Sequence, residues 1–97
     1  MTQTVELPNV SVPEADDIVT HEDLWAVIVW NDDVTTFQTV ITAFVDIFGH
    51  TPTRAEELAW RIHRTGKAVV AIRPKAEAEG AVRQLHRRLI QATLDRA

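Results

Sequence analysis

Ninety-seven residues, 45% of them apolar and 25% charged, make one globular domain with a single modest core and leave no room for a second domain beside it. The absence of cysteine excludes disulfides, thiolate metal sites and a cysteine nucleophile, and it fits a reducing cytoplasm. The net charge of −4 is unevenly spread: Glu6, Glu14, Asp16, Asp17, Glu22 and Asp23 are unopposed over residues 1–23, whereas eight acids face ten bases over 24–97. No dense basic stripe exists for nucleic acid. The longest apolar run is Leu24–Trp30, against roughly 18 residues for a membrane span. Met1–Glu6 lacks the basic-then-apolar order of a secretory signal.

Residues 1–23 hold Pro8, Pro13 and one-signed charge without helical or strand periodicity, so a flexible acidic extension is expected, with Val5, Leu7 and Val10 available for docking. Leu24–Trp30 is β-branched and aromatic between polar flanks, which predicts a buried strand. It stops at Asn31-Asp32-Asp33, residues whose side chains compete for their own backbone and favour a loop. Thr35 or Thr36 then caps a helix whose apolar positions Phe37, Val40, Ile41, Phe44, Val45 and Phe48 repeat at i, i+3, i+4, i+7, and Gly49 ends it.

Thr51-Pro52 opens a second helix with Ala55, Leu58, Ala59 and Ile62 facing inward and Gly66 closing it. So short a link makes the two helices a packed hairpin. Ala68–Ile72 is a second strand, stopped by Pro74. Residues 75–88 form a third helix with Ala78, Val82, Leu85 and Leu89 on one side and Arg83, Arg87 and Arg88 outside. Ile90–Leu94 is either a last edge strand or the end of that helix. The expected fold is α+β: one small domain over residues 24–97, ordered β-α-α-β-α-β, with a three-stranded antiparallel sheet packed on three helices.

Two places carry chemistry. Asn31-Asp32-Asp33 sits where a buried strand gives way to a helix, and it is either a turn and capping cluster or a set of binding groups at a rigid rim. His63 follows the apolar Ile62 near a helix end, and it is either a solvated histidine favoured by the helix dipole or the border of a pocket. The histidines share no i, i+4 metal spacing, no phosphate loop precedes Lys67, and the only serine is Ser11, so neither a metal, a cofactor nor hydrolytic chemistry is expected.

The pattern V-I-x-x-N-D-D-x-T over Val27–Thr35, followed by A-x-x-x-H-x-x-G-K-A over Ala59–Ala68, resembles the ClpS family, the adaptors of the Clp protease. The resemblance covers residues 24–97. It implies a cytoplasmic adaptor without enzymatic activity. Such an adaptor binds the free N-terminal residue of a substrate, preferring Leu, Phe, Tyr or Trp, and delivers it to a Clp AAA+ unfoldase, ClpA or ClpC with ClpP. It further implies that Asn31, Asp32, Asp33 and His63 hold the α-amine, and that Val29, Thr35, Phe37, Val40, Ala59, Ile62 and Ile90 form the rim and walls of the pocket. Glu77, Glu79 and Arg83 would meet the unfoldase. Methionines usual in the family are replaced by Phe37 and Ala59, so a reshaped pocket is expected; a proline is replaced by Thr36, a capping change, and a lysine of the unfoldase-contact helix by Ala81, with Arg83 nearby. No heptad or long apolar stripe asks for a dimer.

Overall fold

The computed structural model describes residues 23–97. The extension expected over residues 1–23 therefore lies, Asp23 apart, outside the described residues. From Leu24 onward the order is β1 (Leu24–Trp30), α1 (Phe37–Phe48), α2 (Pro52–Thr65), β2 (Lys67–Pro74), α3 (Lys75–Arg87) and β3 (Ala92–Arg96). The sheet runs β2-β1-β3, antiparallel throughout, so the most apolar strand is the central one. Of the segment Ile90–Leu94, Ala92–Leu94 form the start of the edge strand β3, which runs on to Arg96, and Ile90 and Gln91 lead into it; none of it is the end of a helix.

Local chemistry explains the boundaries. Thr36, not Thr35, caps α1, its hydroxyl accepting the Thr39 N–H at 3.2 Å. Thr51 caps α2 by accepting the Arg54 N–H at 3.1 Å, with Pro52 in the first turn where a missing N–H costs nothing. Gly49 and Gly66 end the two helices at φ 72° and 97°, a region that L side chains avoid.

The core lies between the sheet and the helices. Val27 and Val29 from β1 meet Phe44 from α1, Leu58 and Ile62 from α2, and Leu85 from α3. Ala55 and Ala59 also face inward, as the helical period predicts. The pairing slips between Val27 and Ile28, so that Val27 faces Ala71 while Ile28 faces Val69. The extra residue, Val70, breaks the alternation: Val70 and Ala71 are both buried, whereas Val69 and Ile72 are exposed. The His50 ring donates from Nε2 to the Val70 carbonyl at 2.7 Å, tying the α1–α2 link to this bulge. Among the described residues two ion pairs occur, Arg54–Glu57 and Arg88–Asp46, each partly exposed and worth less than about 1 kcal/mol, so apolar burial holds the fold.

The structure corrects three expectations. β2 extends to Lys67 and Pro74 because β1 pairs along its whole length, and Pro74 is tolerated at the end of an edge strand. Helix α3 stops at Arg87, one residue early. Leu89 does not join its apolar face; it is 80% exposed at φ 64°, and Ile90 turns inward instead. The N–H groups of Leu89 and Ile90 donate to the carbonyls of His86 and Leu85 at 2.9 and 3.0 Å, the Schellman arrangement that reverses the chain toward β3.

Two substitutions test this packing by urea denaturation. Leu58→Ala should lower unfolding free energy by about 2–5 kcal/mol, because the side chain is fully buried. Leu89→Asn should raise it, by up to roughly 1 kcal/mol, because Asn tolerates the left-handed region and little burial is lost.

Candidate functional site

At the end of β1 two backbone bonds fix where the chain goes. The Trp30 N–H donates to the Gln91 carbonyl at 3.0 Å, and the Asn31 N–H donates to the Gly66 carbonyl at 2.8 Å. The loop after β1 is thereby held between the segment leading into β3 and the end of α2. Within that loop Asp32 turns back, its carboxylate accepting the Val34 N–H at 2.8 Å, and the Thr35 hydroxyl donates to the Leu89 carbonyl at 3.1 Å.

These constraints surround a cavity of about 240 Å³. That is slightly below the range of about 300–1,000 Å³ usual for small-molecule sites, and it suits one amino-acid side chain. Its apolar part is made by Val29, Phe37, Val40, Ala59, Ile62 and Ile90. Its polar part is made by Asn31, Asp32, Asp33, Thr35 and His63. All eleven residues singled out for the amine and the pocket thus converge on one cavity. Trp30 and Gln91 also line it and were missed. Trp30 read simply as the last residue of a strand, and Gln91 had no signal until β3 was placed.

Among the described residues, the side chains of Asn31, Asp33 and His63 make no hydrogen bond within the protein. An amide oxygen, a carboxylate and an imidazole nitrogen are therefore free to accept from a guest. The N-terminus of α1 opens onto the same cavity and carries about half a positive charge, which disfavours a cation. Two carboxylates, Asp32 and Asp33, outweigh it, so the lip attracts cationic donors. Three rings meet at the mouth: Phe37 with Trp60 at 4.7 Å between centroids, Trp60 with His63 at 5.9 Å, and Phe37 with His63 at 6.2 Å.

The other residues marked by sequence lie elsewhere. Glu77, Glu79 and Arg83 are on α3 and do not line the cavity; Glu77 and Arg83 are exposed and Glu79 is half-buried. Ala81 is buried, so on this helix that position belongs to the core. Among the described residues, no three His, Asp or Glu side chains come together to hold a metal ion, and no helix is long and apolar enough to cross a membrane.

A single domain built on a three-stranded sheet, with a side-chain-sized cavity walled by a helix hairpin and rimmed by acceptors, defines a small binding module. Residues 20–95 match the family model described as "ATP-dependent Clp protease adaptor protein ClpS". The chain is 39% identical over 80 residues to the ClpS adapter protein of Corynebacterium efficiens, covering 81% of this chain and 79% of that one. It is 32% identical over 95 residues to the one from Corynebacterium diphtheriae, covering 97% and 84%. Its fold is similar to that of Agrobacterium tumefaciens ClpS2, solved bound to L-phenylalaninamide, with a TM-score of 0.71 and 21% identity over 77% of this chain and 98% of that one. The chain belongs to the ClpS family of Clp protease adaptors.

The Gly66 carbonyl that anchors Asn31 sits on a residue at φ 97° with open space where a Cβ would be. Gly66→Ala should therefore cost about 1–2 kcal/mol of stability through backbone strain alone, without a clash. Urea denaturation gives the cost, and a shifted Asn31 amide resonance would report the disturbed bond.

Proposed function

We propose that the cavity seats the free N-terminal residue of a substrate protein, and that this chain hands such substrates to a Clp AAA+ unfoldase. The observation that carries the reading is the pairing of three free acceptors, Asn31, Asp33 and His63, with an apolar cavity sized for one side chain. An α-ammonium group has three donors and is charged below about pH 8. Three acceptors on one lip match it, and each charge-assisted bond is worth roughly 1.5–3 kcal/mol. Asp32, pinned by its turn, adds negative charge beside them. The ligand in the Agrobacterium structure, an amino-acid amide with a large apolar side chain, has the same chemistry.

Phe37 and Ala59 shape the preference for the first side chain. Phe37 narrows one wall with a rigid ring, and Ala59 opens the depth below it. Large unbranched-at-Cβ residues (Leu, Phe, Tyr, Trp) are favoured over Val and Ile. On α3, the polar residues Glu77, Glu79 and Arg83 lie outside the cavity and are the proposed contact for the unfoldase, which leaves the cavity open during delivery.

Fluorescence anisotropy of two labelled peptides, one beginning with free Leu and the other with acetylated Leu, tests the reading. Saturable binding of the free form alone is expected, with Asp33→Ala weakening it roughly 10- to 100-fold through one lost charge-assisted bond. Binding should also fall above about pH 8 as the amine loses its proton. Equal binding of both peptides, or of Val- and Leu-initiated ones, would contradict the proposal.

A further inference from the structure

We infer that Trp60, which stands outside the cavity, is a positioning residue that sets selectivity for the first side chain by holding the Phe37 ring. This rests on reading the cavity as the seat of an N-terminal residue. Phe37 is the first residue of α1, so its ring stands at the mouth beside the amine-facing groups, where branching at the guest's Cβ would be felt. A half-buried ring in the first turn of a helix is free to change rotamer unless something braces it. Among the described residues, its ring makes edge-to-face contacts with two others, both from α2: Trp60 at 4.7 Å with the planes inclined by 61°, and His63 at 6.2 Å.

Trp60 serves no core. It is 44% exposed, it does not line the cavity, and its outer side borders the charged Glu57, Arg61 and Arg64. Its ring partners among the described residues are Phe37 and His63, one turn further along α2. A large aromatic side chain left at the surface, with its edge-to-face contacts aimed at one wall of the cavity, acts as a brace. Ala59 gives that wall a methyl group only, so it cannot replace the brace. Releasing Phe37 would widen the mouth and admit branched side chains, while Asn31 and Asp33, held on the loop after β1, keep the amine acceptors that Trp60 does not brace.

The test measures affinities of the full chain for free-amine peptides beginning with Leu and with Val, each beside its acetylated form. Trp60→Ala should narrow the Leu-to-Val ratio on the order of 3- to 10-fold, the worth of one aromatic pair. The free-amine requirement should survive, and Trp60→Phe should restore most of the ratio. In a Phe37→Leu background, Trp60→Ala should change the ratio no further. A uniform loss across first residues, an unchanged ratio, or additive effects of the two substitutions would overturn the inference while leaving the adaptor reading intact. A wild-type chain that ignores acetylation would overturn both.

Discussion

Everything at the site depends on how β1 ends. As the central strand it is paired on both sides, and its last N–H groups continue outward to two different carbonyls, Trp30 to Gln91 and Asn31 to Gly66. Those two bonds place the Asn31–Asp33 loop against the end of α2, which brings it to His63, and against the segment that supplies Ile90. Without them the acceptors and the apolar walls would belong to separate surfaces. Gly66 is part of the same constraint, because only a residue at ease at φ 97° can end α2 and still present that carbonyl.

The cavity exists because the core stops short of filling it. Val29, Ile62 and Ile90 belong to the same core as Phe44, Leu58 and Leu85 and also line the cavity, whose apolar lining is completed by Val40, Ala59 and the half-buried Phe37. Exposed apolar groups neighbour the cavity: Trp30 (38% exposed) lines it, Trp60 (44% exposed) packs on the Phe37 ring, and Leu89, whose carbonyl accepts from Thr35, is more exposed still. Membership of the ClpS family gives that arrangement its context, since an adaptor must keep a recognition surface accessible.

Much of this was legible in the sequence, and the reasons are physical. Apolar positions repeating at 3.6 residues, bracketed by Thr caps and Gly stops, located α1 and α2 and their inward faces. The β-branched run Leu24–Trp30 marked the central strand. The spacing from Asn31 to Thr35 and from Ala59 to Ala68 carried the family resemblance and, with it, eleven residues that the structure gathers around one cavity. What periodicity could not reveal were features decided by pairing. The bulge at Val70 buries two neighbours where alternation buries one. Leu89 fits the apolar stripe of α3 by spacing, yet it is spent on a left-handed reversal because β3 must return antiparallel to β1. Gln91 becomes a cavity residue through that reversal alone, and the boundary of β2 follows the length of β1 rather than its own composition.

In the proposed function, one cavity recognises both an α-amine and the side chain attached to it. This recognition is tested most directly by titrating the ¹⁵N- and ¹³C-labelled full chain with L-leucinamide and following chemical shifts residue by residue. Saturable changes are expected at Asn31, Asp33 and His63 together with Phe37, Val40 and Ile90, and none with N-acetyl-L-leucinamide. Changes centred on the exposed sheet residues Val69 and Ile72, on α3, or equal for both ligands would contradict it.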